Sequence, residues 1–458
     1  MTRHPFNVMA ITASVGVVGL CLVSLTAQAP TPATPAPQQP NQISTTISGD
    51  NGTPPRLAVP DFIALTRDAE TQTIAKTVSQ VLFDDLTFER EFALLPRDTY
   101  VTIPAATSFA DVPFDRWREL NADYVVVGTV QKMTTGIQIQ VRLFSPRTRE
   151  SALGKEYSGS AANPRLYAHT ISDELHAQRG VHGVARTKFT FVSDRDGERL
   201  ASTIENRTVK EIYTMDYDGE NQRRLTVTRS LNITPTWSPD GRSIAYSSFR
   251  KGLPNIFISN IYEGTMTQLT DNEGNNFLPS WSPDGTRICF VSNRDGHPEL
   301  YVANRDGSNV RRLTNNPAIN GTPTWSPSGT QIAFTSDRSG TPQIYTIGVD
   351  GLGLQRLTTE SYADRPTWSP APFNEIAYAA RTGPGMDIKV VSLATREVRQ
   401  LTFGEGTNES PSWAPNGRHL AFMSTRSGKS QIFTITRDGK NLKQITKTGN
   451  NQYPDWSK

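Results

Sequence analysis

The sequence predicts an α/β N-terminal domain followed by an all-β, six-bladed β-propeller closed by its C-terminal strand. Three observations carry this. Six of the seven tryptophans (Trp237, Trp281, Trp325, Trp368, Trp413 and Trp456) are spaced 44, 44, 43, 45 and 43 residues apart, each with a proline two positions before it. A period of about 40–45 residues built from short β-type segments is the signature of propeller blades. Each repeat reads Pro-x-Trp-Ser-Pro-Asp-Gly or a variant, then Ile-Ala-Phe or a variant, then Ser-x-Arg-x-Gly. It closes on Arg or Gln before Leu-Thr or Ile-Thr, from Arg224-Leu225-Thr226 to Gln444-Ile445-Thr446. Four strands fit that length. Finally, the first repeat starts at Phe189 with no Trp segment of its own, while the segment at Trp456 is followed by only two residues. Pairing the two closes the ring and leaves no open end between first and last blades.

The elements follow in order. Residues 1–29 carry Arg3 and His4, an apolar run from Val8 to Leu25 and Ala27-Gln28-Ala29, the pattern of a secretory signal peptide. Residues 30–55 form a Pro/Gln/Thr-rich linker with little to bury. Within it Ile43 to Ile47 is a short stretch of strand character that a partner's sheet edge could recruit. An α/β domain is expected over 56–183. It contains a strand at Arg56–Pro60, an amphipathic helix marked by Ile74, Val78, Val81, Leu82 and Leu86, and a short helix with Trp117. Two strands, Tyr124–Val130 and Ile137–Phe144, precede a last helix, Pro164–Gln178, with Leu166, Ile171 and Leu175 as core residues. The propeller spans 187–458. Cys289 stands where sister repeats have Ala245, Ala333 and Ala421, so it reads as a small buried side chain.

A net charge of +3 with dispersed basic residues gives no footprint for nucleic acid. After the N-terminal segment no apolar run reaches the length needed to span a bilayer. No nucleophile elbow, His-Glu-x-x-His or Cys-x-x-Cys motif occurs, so the expectation is no enzyme, no cofactor and no metal. Binding is expected on the face that carries the longer Ser-x-Arg-x-Gly and blade-to-blade loops. Asn232, Asn276, Asn320, Asn408 and Asn451 stand there five residues before Trp, with Ala363 the exception, together with one arginine per repeat. They are candidates for the rim, although a residue kept in every blade is also expected to make the same local bond each time. Recognition should rest on the positions that break the symmetry. Phe277, Leu278, Asp364, Arg365, Glu409 and Tyr453 are the candidates.

The repeats, with WSPDG, IAFTSDRSG, QIYTI and QRLT, closely resemble those of the TolB family of the periplasmic Tol–Pal envelope system. PRLAVPDF, WRELNADYVVVGTV and RLYAHTISDEL resemble that family's N-terminal domain, so the likeness covers nearly all of 43–458. It implies a periplasmic adaptor that binds the peptidoglycan-associated lipoprotein Pal over the propeller opening. It also implies a contact between the N-terminal segment, here Ile43 to Gly49, and the inner-membrane-anchored TolA. The system maintains the outer membrane and its constriction at division. The rival reading is a propeller enzyme, a polysaccharide lyase or a peptidase accessory acting on envelope fragments.

Overall fold

The computed structural model describes residues 53–199, 208–271 and 274–458, all within one compact unit, 43–458. The signal-like leader, most of the linker, and Ile43 and Ile47 lie outside the described residues.

Asp68 accepts a hydrogen bond from the Thr71 N–H at 2.9 Å and caps helix α1 (Ala69–Glu89). The stripe Ile74, Val78, Val81, Leu82 and Leu86 is buried. It packs on a sheet made of β1 (Arg56–Ala58), β2 (Ile63–Ala64), β3 (Ala93–Leu94), β4 (Tyr124–Met133), β5 (Gly136–Phe144) and β6 (Ser151–Gly159). The order is β3-β1-β4-β5-β6, with β2 also on β4. Strand β1 runs parallel to β3 and β4, and β4-β5-β6 is an antiparallel meander. Trp117 of α2 (Phe114–Glu119) fills a second core on the other face. Helix α3 (Pro164–Gln178) lies beside α1. Its buried stripe is Ala168, Ile171 and Leu175, so Leu166, expected in the core, falls off that face and is 51% exposed.

Six four-stranded antiparallel sheets follow. Blade 2 runs Asn232–Trp237, Ser243–Ser248, Asn255–Asn260 and Met266–Gln268 from the inside out, and blades 3 to 6 repeat it. Blade 1 takes its innermost strand, Asn451–Trp456, from the C-terminal segment and the rest from Lys188–Ser193, Glu211–Asp216 and Arg223–Arg224. The register Asn451↔Ser193 and Trp456↔Phe189 is the closure that the unmatched Trp segment predicts. Cys289 is fully buried.

The closing Leu-Thr has a physical reason. In every blade the Thr hydroxyl accepts a backbone N–H near the start of the third strand, as in Ile256 N to Thr270 at 3.0 Å. It donates to the side chain of the residue just before that N–H: Glu211, Asn255, Glu299, Gln343, Asp387 or Gln431. One hydroxyl thus satisfies a buried donor and a buried acceptor, which is why the position repeats.

Each inner strand carries a bulge at the residue before its proline. Thr234, Leu278, Thr322, Arg365, Ser410 and Tyr453 all have φ between 44° and 56°. Such left-handed, non-glycine backbone costs on the order of 1 kcal/mol per residue. The irregularity takes the proline out of the ladder, where its missing N–H does no harm.

Candidate protein-docking site

The inner strands start on one face, here the Asn face, and end on the other, the Trp face. The N-terminal domain occupies part of the Trp face at blades 1 and 6. Phe88 of α1 stacks on His419, with ring centroids 4.4 Å apart, and meets Tyr217 edge-on at 5.1 Å. Glu91 pairs with Arg418, and Arg165 with Asp218. Burial drives the His419 imidazole down to about 4, and its Nε2–H donates to the Phe88 carbonyl at 3.2 Å. The linker after α3 is held as well, since Glu89 accepts from Val184 N–H and Asp173 from Ala185 N–H. The Asn face meets none of these contacts.

On that face the structure separates scaffold from surface. Asn232, Asn276, Asn320, Asn408 and Asn451 have no exposed area. Their Nδ2 groups reach back to the third-strand residue of the preceding blade: Glu211, Asn255, Glu299, Asp387 and Gln431, at 2.8–3.2 Å. In four of them Oδ1 accepts from the loop arginine, as in Arg338 to Asn320 at 2.8 Å. These arginines also lie over aromatic rings of their own blade. The asparagines staple blade to blade and cannot touch a ligand, which corrects their placement on a contact rim. Blade 5, with Ala363 in the slot, does without the staple.

The symmetry-breaking residues remain half-accessible around the channel mouth. Phe277, Leu278, Asp364, Arg365, Glu409 and Tyr453 are all partly buried. Leu278, Arg365 and Tyr453 line a recess of ≈ 160 Å³ with Thr234, Thr322 and Ser410. Phe403, 72% exposed, and Ile319, 60%, stand on the blade-to-blade loops outside it. The sequence reading missed these two, because loop residues outside the period carry no repeat signal.

Residues 176–458 match the family model described as the TolB beta propeller domain, and residues 43–149 match the TolB amino-terminal domain. The chain belongs to the TolB family. A Tol-Pal system protein TolB from Desulfosudis oleivorans is 34% identical over 214 residues, 46% of each chain. One from Pseudomonas fluorescens is 32% identical over 192 residues, 42% of each. The chain thus spans about half the length of the curated relatives it matches. TolB from Acinetobacter baumannii, at 24% identity, has the same fold, with a TM-score of 0.73 over 91% of this chain and 98% of that one. Among the described residues of this TolB-family chain no helix is long and apolar enough to cross a membrane.

Deeper in the channel the propeller carries an asymmetric ring. Thr236, Ser280, Thr324, Thr367 and Ser412 supply hydroxyls, and the sixth position is Asp455. On the Trp side these residues open into a cavity of ≈ 490 Å³ lined by all six repeat tryptophans. Asp455 accepts from Trp237 N–H at 2.7 Å, yet burial pushes its carboxyl up from 3.8 to about 6. A raised carboxyl pKa means that the folded state favours the protonated acid. The stabilisation is fully present below about 3.8 and is lost as pH rises through about 6. Asp455→Asn should therefore stabilise the protein at pH 7 by on the order of 2 kcal/mol and by nothing near pH 3.5, read by urea melts at the two pH values. An equal effect at both would show that the carboxyl titrates normally.

Asp85, His169 and Asp218 form a compact cluster where α1, α3 and blade 1 meet. Its members are engaged with one another and with their neighbours. Asp85 bonds to His169 Nδ1 at 2.8 Å and accepts from the Tyr217 hydroxyl at 2.6 Å, while Asp218 holds Arg165. Burial disfavours the His169 imidazolium, but the bond to Asp85 and its charge prevail and raise the pKa. This is the chemistry of an interdomain clasp. His176, buried beside it, donates from Nδ1 to the Ser172 carbonyl.

Proposed function

We propose that the protein is a periplasmic, non-enzymatic adaptor of the Tol–Pal system, serving outer-membrane integrity and constriction during cell division. In this reading Pal docks over the Asn face, and TolA is contacted through the N-terminal segment that includes Ile43 and Ile47. The observation that carries it is the Asn-face mouth of a TolB-family propeller. It meets none of the N-terminal domain contacts; Leu278, Arg365 and Tyr453 line its shallow opening, and Phe277, Asp364 and Glu409 stand beside them in sequence, half-buried. Apolar, charged and aromatic groups side by side suit a protein surface better than a single small substrate.

The test is calorimetry with the soluble domain of the Pal-type lipoprotein from the same organism. Phe277→Ala is expected to weaken binding by roughly tenfold, the loss of one aromatic anchor, with an unchanged melting temperature. Failure of the unaltered protein to bind would remove the adaptor reading, and metal-dependent turnover of a wall polysaccharide would replace it with an enzyme.

A further inference from the structure

The mouth of the channel is chemically two-sided. At blades 2 and 3, Phe249 and Phe277 approach with ring centroids 6.4 Å apart, and Leu278 lies half-buried next to Phe277. Leu253, 50% exposed, projects from the loop that follows Phe249. Blades 5 and 6 instead carry Asp364, Arg365 and Glu409.

These three charges are not equally occupied. Asp364 accepts from the hydroxyls of Thr322 and Thr335 and from the Arg365 N–H, at 3.1, 2.8 and 2.7 Å. The Arg365 guanidinium lies over the Tyr453 ring, 4.7 Å from its centroid. The nearby Lys210 ammonium donates to Gln452 at 2.6 Å. Glu409 is half-buried, and among the described residues its carboxylate has no hydrogen-bond or ion-pair partner. Burial raises its pKa against the pull of Arg365, the mark of a carboxylate short of compensation.

We propose that the partner's docking apex presents a basic side chain that ion-pairs with Glu409 at blades 5 and 6, beside an apolar anchor seated against Phe277 and Leu278. The inference rests on the Asn face being the docking surface and gives that partner a chemistry and an orientation. An apolar or acidic apex would bury Glu409 without a partner, and a desolvated, unpaired charge opposes binding. A lysine or arginine supplies the missing donor.

The experiment measures affinity of the soluble Pal-type domain for the intact protein, Glu409→Gln and Glu409→Lys, with thermal melts confirming that all three are folded. Glu409→Gln should weaken binding about tenfold and Glu409→Lys about a hundredfold or more, the size of interfacial charge-pair couplings. A single Lys→Glu or Arg→Glu change on the lipoprotein should restore binding to Glu409→Lys, which a merely structural role would not produce. If both Glu409 variants bind like the unaltered protein, the inference fails while the docking reading stands. If the unaltered protein does not bind, both fall.

Discussion

Removing Tyr453–Lys458 is expected to abolish cooperative folding of the propeller. The segment supplies most of the innermost strand of blade 1, which also touches the inner strands of blades 2 and 6. Trp456 is 3% exposed, lies 4.5 Å from the Phe189 ring and donates its indole N–H to Thr187 at 2.7 Å. Ser457 adds reciprocal backbone and side-chain bonds to Lys188. Loss of one buried Trp side chain costs about 3–5 kcal/mol, and exposing the edges of blades on both sides takes the total past the stability of a typical domain. Trp456→Ala, the milder variant, should lower the melting temperature by roughly 10 °C in circular dichroism. A truncated protein that melts like the full chain would overturn ring closure.

Asp85→Ala is expected to uncouple the N-terminal domain from the propeller. The residue is 1% exposed and holds His169 of its own domain and Tyr217 of blade 1. Its removal leaves a buried hydroxyl and a buried imidazole without their acceptor, at a cost of about 3–5 kcal/mol. The Tyr217 ring packs in the core of blades 1 and 6, but its hydroxyl bond to Asp85 crosses between the domains, so that part of the loss falls on the interface. Calorimetry should then resolve two transitions in place of a single coupled one. One unshifted transition would show that Phe88, Glu91 and Arg165 suffice to hold the domains together.

Positions that recur in every blade made the scaffold legible in the sequence. The tryptophan period and the unpaired segment at Trp456 gave the blade number and the closure, because both report local strand geometry. At the asparagines the sequence left two readings, rim contact and repeated local bond, and their full burial and inter-blade bonds accord with the second. Strand β6 went unread because its residues, such as Gly154, Lys155 and Ser158, suit an edge strand and hide the alternation. The seat of the N-terminal domain was also unread, since Phe88, Tyr217 and His419 each occur once and meet only in the fold. His419 did leave a trace. Sister repeats have Ser243, Arg287, Gln331 and Glu375 at its position, and an aromatic ring there is a break in the symmetry. The docking chemistry is partly legible: Glu409 stands out as a departure from the repeat, but its lack of a partner emerges only from the surrounding blades.

Because residues 451–456 complete a sheet begun at Lys188, blade 1 stays one strand short while all the intervening chain is being made. The α/β domain has its own local core and can mature early, whereas the ring is assembled in one late step after the final strand becomes available. Until then the open flank of Lys188–Ser193 presents unpaired backbone groups. The chain thus has a built-in need for shielding between synthesis and closure, and its most vulnerable surface is the one that the finished molecule hides.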